Sequence, residues 1–203
     1  MGAFDEWHKG GSWMTTKYRG KFCQQSPCDL WSIQEIIHET KPQCIVYTGI
    51  ADGGSLLFVS DAMRMVNHDG NCIAIGIDKV IPDQPVNGTL MLKGDSVSDE
   101  VYMQILDWTK PYERVMLILD SDHKKGHVRH ELELYAPLVT IGQYLIVEDT
   151  CIGHTACMDF GPGPNEALQD WLPGHPEFKV DNTRTRWGLT QHPGGYLKKI
   201  GHV

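Results

Sequence analysis

The sequence predicts an α/β fold with a mostly parallel sheet and helices on both faces. Three observations carry that prediction. Apolar runs of strand length recur at Cys44–Thr48, Cys72–Ile77, Val115–Leu119 and Tyr144–Val147, and they are continuous rather than alternating. Such runs mark strands buried on both faces of a parallel sheet. Segments of helical length and periodicity separate them, as βαβ units require. Two of the runs then break off into acid, Asp120 and Asp122 after one, Glu148 and Asp149 after the other. Ligands of open α/β sheets bind outside the carboxyl ends of the strands, so acids gathered there are candidates for chemistry.

At 203 residues the chain is expected to form one domain, 1–203, with a single sizeable core. The formal charge of -8 excludes the basic stripe of a nucleic-acid binder. No apolar run of about 18 residues offers a membrane span. The opening MGAFDEWHKGGSW lacks the apolar stretch of a signal peptide, and Trp7 stands near where a myristoylation motif carries Ser or Thr. A cytoplasmic location is therefore expected. The cysteines (Cys23, Cys28, Cys44, Cys72, Cys151 and Cys157) contain no C-x-x-C pair, so reduced thiols are expected rather than a disulfide framework or a zinc site.

In order, residues 1–28 read as an irregular arm rich in Gly, Lys, Gln and aromatics. Asp29, after Pro27, is the expected N-cap of a helix whose Leu30, Ile33, Ile36 and Ile37 share one face and which Pro42 stops. Strand Cys44–Thr48 leads through the glycine turn Gly49–Ser55 into a helix, Leu56–Val66. Strand Cys72–Ile77 ends at Asp78, and the loop Pro82–Gly88 leads to a short strand, Thr89–Leu92. A helix over Ser96–Trp108, capped by Ser96 or Ser98, precedes strand Val115–Leu119. A helix over Lys125–Tyr135 stops before Pro137, and strand Tyr144–Val147 follows. Residues 150–165, rich in Gly and Pro, read as a long loop, a length usually reserved for lids. A helix over Asn165–Leu172 and closing strands Phe178–Val180 and Gly195–Ile200 complete the chain.

The turn IVYTGIADGGS lets backbone approach a ligand and ends at a helix N-terminus. It is neither a G-x-G-x-x-G fingerprint nor a Walker A loop. Asp78, closing the next strand, is placed to hydrogen-bond ribose hydroxyls. The plainer alternative is that Asp78 caps a loop and the glycines only turn the chain. Neighbouring strand tips bring Asp120 toward Glu148 and Asp149, an oxygen-rich set that suits Mg²⁺ or Ca²⁺. Without a cation these carboxylates repel. A hydroxyl on such an ion becomes more acidic, and His123, three residues past Asp120, can accept its proton. Against this, strand-end acids commonly cap helices, His123 can be a surface residue, and Lys124, Lys125 and His127 can simply pair with the acids.

Taken together, SPCDLWSIQEIIHETKP, TGIADGGS, LILDSDHKKGHV, LYAPLVTIGQYLIVEDT, DFGPGPNEAL and HPGGYLKK resemble the cephalosporin hydroxylase-like S-adenosylmethionine-dependent methyltransferases, from about Trp13 to Lys198. That family includes Mg-dependent O-methyltransferases of macrolide sugars and rhamnosyl groups. The resemblance implies a class I methyltransferase sheet of seven strands and transfer of a methyl group to a small-molecule hydroxyl, such as a sugar's. It implies Asp120, Glu148 and Asp149 as magnesium ligands and His123 as general base. It places Thr48, Gly49, Gly53, Gly54, Ser55, Asp78 and Ser96 around the cofactor, with Asp120 bordering both groups. A homo-oligomer is also implied. One departure stands out: the family's acid before the T-G of the turn, which steadies the turn and the methionine end of the cofactor, is here Tyr47. That departure leaves a non-catalytic binding protein on the same scaffold as one alternative, and a different Mg-dependent enzyme, such as a hydrolase or a hydroxylation partner, is a second. Trp7, Trp13, Trp187 and Tyr18 are candidates for a pocket wall. His154, His175, His192 and His202 have no assigned role.

Overall fold

The structure, a computed structural model, describes residues 3–154 and 160–202. The elements in chain order are α1 (Ala3–Lys9), β1 (Lys17–Tyr18), β2 (Lys21–Phe22), α2 (Pro27–Thr40), β3 (Cys44–Thr48), α3 (Gly54–Val66), β4 (Ile73–Asp78), β5 (Thr89–Lys93), α4 (Asp99–Thr109), β6 (Val115–Leu119), α5 (Lys125–Tyr135), β7 (Tyr144–Val147), α6 (Pro164–Trp171), β8 (Phe178–Val180) and β9 (Tyr196–Lys199). Seven strands form one sheet in the order β5-β4-β3-β6-β7-β9-β8. The first five are mutually parallel, and β9 runs antiparallel to both its neighbours. The chain order reverses direction between β3 and β6, so the crevice of this α/β sheet opens at their carboxyl ends.

Period two along each strand sorts side chains onto two faces. Val46, Leu117 and Val147 pack under α4, α5 and α6 with Ile105, Leu132 and Trp171. Ile45, Tyr47, Met116, Ile118 and Ile146 pack under α2 and α3 with Ile33, Ile37, Leu56 and Met63. Continuing that alternation past the strand ends puts Tyr47, Asp120 and Glu148 on the α2–α3 face. Among the described residues no helix is long and apolar enough to cross a membrane, and Cys23, Cys28, Cys44 and Cys72 are free. Cys157 and part of the expected 150–165 loop lie outside the described residues.

Two expectations need correcting. The 1–28 arm is not irregular: α1, a 3-10 turn at Ser12–Thr15 and the β1–β2 hairpin fill most of it. Phe4, Trp7, His8 and Trp13 make successive ring contacts, so aromatic packing orders a segment that lacks helical periodicity. Asp29 is not the cap of α2. Ser26 is, its Oγ accepting the Cys28 N–H at 3.2 Å with Pro27 in the first helical turn. Asp29 faces inward, 1% exposed. Of the two serines offered for α4, Ser98 is the cap.

A buried clamp ties the C-terminal part to α2. Arg184, at the end of the chain's sequence-distant 3-10 turn Asn182–Thr185, donates to Glu39 at 3.0 Å, Asp181 at 3.0 Å and the Tyr144 hydroxyl at 3.1 Å. Burial alone would raise Asp181, but hydrogen bonds from Thr183, Tyr144 and Arg184 hold it down at about 2. Its folded pKa is thus depressed below the ordinary 3.8. The stability it contributes is present above that value and lost as pH falls from about 4 toward 2. The stability gap between wild type and Arg184→Met, read from urea midpoints, is expected to shrink between pH 5 and pH 2.5. An unchanged gap would show that the clamp is not what acid releases.

Candidate active site

The tips of β3, β6 and β7 lie side by side, and backbone contacts fix their spacing. The Asp120 N–H donates to the Thr48 carbonyl at 3.0 Å and the Glu148 N–H to the Leu119 carbonyl at 2.9 Å. Gly49, at φ +77°, leaves no room for a side chain, since a Cβ there would stand 1.9 Å from the Asp120 carbonyl oxygen. Thr48 is fully buried, its Oγ1 accepting the Asp120 N–H at 3.3 Å. Asp78 fastens the turn from the other side. Its Oδ2 accepts the Ile50 and Ala51 N–H groups at 2.9 and 3.0 Å, and its Oδ1 accepts the Val80 N–H at 3.0 Å.

A cleft runs along these tips as two adjoining cavities. One, of about 340 Å³, is lined by Gly49, Asp78, Ser96, Ser121, His123 and His127 among others. The other, of about 400 Å³, is lined by Gly49, Asp78, Asp120, His123 and Asp149 together with His8 and Trp13 of the arm. Of the expected cofactor contacts, Gly49, Asp78, Ser96 and Asp120 therefore reach the cleft. Thr48, Gly53, Gly54 and Ser55 are not among the residues that line these two cavities. Gly54 packs against the Phe22 carbonyl, and Ser55 Oγ sits 3.6 Å from Cys23 Sγ.

Asp120, His123 and Asp149 each present a ligand atom, all within 4.8 Å of one another. His123 Nε2 is 3.5 Å from Asp149 Oδ2. Glu148 stands beside Asp120, with the two carboxyls in hydrogen-bonding reach. It is buried, and it accepts from Tyr47 Oη at 3.0 Å and from Gln25 Nε2. Loss of water contact, then the charges of Glu148 and Asp149, push the Asp120 carboxyl well above its ordinary range. Burial likewise raises Glu148, against the opposing pull of His192, Asp120 and Tyr47. Lys124 pairs with Asp122, Lys125 with Asp170 and His127 with Glu131, so the basic run leaves these acids unneutralised. An oxygen-rich donor set with mutually repelling carboxylates and one imidazole fits a hard divalent cation.

Several functional neighbours escaped the sequence reading. Gln25 and Tyr47 brace Glu148. His127 Nε2 sits 3.1 Å from Ser96 Oγ and 3.0 Å from Ser121 Oγ, with Ser121 donating to buried Glu131 at 2.7 Å. Hydrogen bonding to Glu131 raises His127 above its ordinary value. His192, left without a role from sequence, is 1% exposed and lies beneath Asp149. Its only forewarning was its place in HPGG. Of the four aromatics considered for a wall, Trp13 alone borders the cleft. Tyr18 packs edge-on to Phe58, and Trp187 lies under Arg186.

Strand order, glycine turn and acid-tipped β6 and β7 define a protein of the class I methyltransferase type. The chain belongs to the rhamnosyl O-methyltransferase/CmcI family, whose profile matches residues 11–200. It is 32% identical over 204 residues to the rhamnosyl O-methyltransferase of Mycobacterium tuberculosis (strain ATCC 25618 / H37Rv), covering 96% of this chain and 82% of that protein. A solved structure of CmcI, named with Mg and SAM, superposes with a TM-score of 0.70 at 18% identity, over 93% of this chain and 78% of that one. CalS11, named a TDP-rhamnose 3'-O-methyltransferase, gives a TM-score of 0.57 at 16% identity, over 75% of this chain and 72% of that one. The expected fold and family are both borne out.

Proposed function

We propose that this chain is a metal-dependent O-methyltransferase that moves the methyl group of S-adenosylmethionine to a hydroxyl of a sugar or glycoside. The observation that carries the reading is the convergence of Asp120, His123 and Asp149 beside the Gly49 turn, in a chain of this family. Asp120 and Asp149 would hold a magnesium ion, with Glu148 beside Asp120. When bound, the ion stabilises developing negative charge on a chelated oxygen, and the sulfonium cofactor supplies the methyl group.

The chain's own residues do the rest. His123, one-third exposed on the cleft, accepts the acceptor's proton at Nε2, the atom nearest the acid cluster. Gly49 lets the β3 and β6 tips pack closely, and Asp78, which lines both cavities, offers its carboxylate to hydroxyl groups of the cofactor. Ser96 and His127 close the far end of the smaller cavity. Trp13, stacked on His8 with ring centroids 5.1 Å apart, offers an apolar face against which the C–H face of a sugar ring can rest. In-line displacement draws its rate mainly from alignment, which these rigid strand tips supply. Tyr47 spends its hydroxyl on Glu148. The departure from the family's acid is thus absorbed into the acid network, which favours a catalytic over a non-catalytic reading. A homo-oligomer and a cytoplasmic location belong to the same proposal.

The test is methyl transfer by pure protein from S-adenosylmethionine to a rhamnosyl glycoside, followed by mass spectrometry. Transfer is expected with Mg²⁺ and is expected to vanish in EDTA, returning on Mg²⁺ addition. Undiminished turnover in EDTA, or calorimetry showing no cofactor binding, would overturn the proposal.

A further inference from the structure

Asp149 has an unusual backbone. Its φ is +54°, in the left-handed region that residues other than glycine enter at a cost. Aspartate tolerates that region better than most residues, but something must hold it there. The turn beyond it closes locally, with the Ile152 N–H on the Asp149 carbonyl at 3.0 Å. The Asp149 N–H takes no backbone partner and donates to Nδ1 of His192, at 2.8 Å.

Because Nδ1 accepts that proton, the ring of His192 carries its own proton on Nε2. Among the described residues Nε2 has no hydrogen-bond partner, and it faces the carboxylates of Asp29 and Glu148 at 3.8 and 3.9 Å. The imidazole is thus buried, with Nδ1 aimed at the Asp149 amide.

The segment carrying His192 is itself clamped. The His192 N–H donates to Thr190 Oγ1 at 3.0 Å, and Thr190 Oγ1 donates to Asp29 Oδ1 at 2.6 Å. Asp29 Oδ2 accepts the Gln191 N–H at 2.8 Å, and Gln191 Oε1 accepts the Ser26 N–H at 2.7 Å. On the strand side, the Val147 N–H donates to the Gly195 carbonyl at 2.8 Å and the Cys151 N–H to the Gln191 carbonyl at 3.1 Å. A Cβ on Gly195 would stand 2.1 Å from the Val147 carbonyl oxygen, so the turn can press this close only with glycine there. The start of α2 and the 190–195 turn therefore form one rigid unit behind the β7 tip.

We infer that His192 is a positioning residue, whose Nδ1 holds the Asp149 backbone left-handed and so turns the Asp149 carboxylate toward Asp120 and His123. The inference rests on Asp149 being a ligand of the cation, as proposed above. It assigns to His192 the affinity of the cation rather than any contact with substrate.

Mn²⁺ titration followed by electron paramagnetic resonance separates the two claims. Wild type is expected to bind Mn²⁺, and Asp120→Asn to lose that binding. If wild type binds none, the reading of the metal site falls and takes this inference with it. Given wild-type binding, His192→Phe keeps ring volume but has no acceptor, and is expected to weaken Mn²⁺ about 10–100-fold, as loss of a partner that orients a metal ligand does. His192→Gln, whose Oε1 can accept the same N–H, is expected to recover most of the loss, which a role in packing alone does not explain. Unchanged affinity in a folded His192→Phe, with its thermal midpoint intact, overturns the inference while leaving the metal site standing. A measurement on unsubstituted protein covers the case in which the variant does not fold. The ¹⁵N spectrum is expected to show a through-hydrogen-bond coupling between the Asp149 amide and His192 Nδ1. A proton on Nδ1 would overturn the inference.

Discussion

His123→Gln is expected to lower kcat by about 10²–10⁴-fold, the usual worth of a positioned general base, with cofactor affinity little changed. The reason is geometric. His123 Nε2 is 3.5 Å from Asp149 Oδ2 and His123 borders both halves of the cleft, so it is the nitrogen base that a hydroxyl near the acid cluster meets. Glutamine preserves length and polarity but cannot accept and carry the proton. Comparing steady-state turnover with calorimetric binding of S-adenosylhomocysteine separates the two effects. A variant that binds cofactor and turns over at the wild-type rate would remove His123 from the chemistry. A variant that no longer binds cofactor would make it part of the binding wall instead.

Asp120→Asn is expected to act in opposite directions on activity and on stability. Asp120 faces both Glu148 and Asp149. Removing its charge should abolish tight Mg²⁺ binding. Several kcal/mol of charge stabilisation would go with it, about 10³-fold or more in kcat/KM. Stability should move the other way when no cation is present. Burial and its acid neighbours raise Asp120 above its ordinary value, so the folded state holds the proton more tightly than the unfolded chain does. The group therefore favours folding at low pH, and that contribution is lost as pH rises through its folded pKa. Above that pH the ionised carboxylate is a folding penalty that asparagine removes. Melting at pH 8 in EDTA should show the Asn variant above wild type, and Mg²⁺ should raise only the wild type. A lower melting temperature for the variant in EDTA would mean that the acids are not in the repulsive state described.

The strand tips were legible because burial and reversal leave local marks. Continuous apolar runs placed β3, β4, β6 and β7 within a residue or so, and acids directly after them placed Asp120, Glu148 and Asp149 at the crevice. Family motifs then supplied the seven-stranded sheet and the membership that the profile match bears out. The 1–28 arm misled because its order comes from ring-to-ring packing, which has no 3.6-residue period. Asp29 misled for a different reason. An aspartate after a proline has the same local sequence whether it caps a helix or turns inward, and only its partners 161 to 167 residues away decide the matter.

By itself the sequence determined what each stretch must do: which runs are buried, where the chain turns on glycine, which strand ends carry charge, and to which family the whole belongs. These follow from period, propensity and residue chemistry within a few positions, so they can be read locally. Only the tertiary structure decided who meets whom at the site. It set His192 under Asp149, Tyr47 and Gln25 on Glu148, and Asp29 behind the turn that carries His192. Such meetings join residues far apart in the chain, and each depends on how the β6 and β7 tips, the start of α2 and the 190–195 turn close on one another. No local pattern encodes that closure, because it is settled by packing and hydrogen-bond satisfaction across the assembled domain.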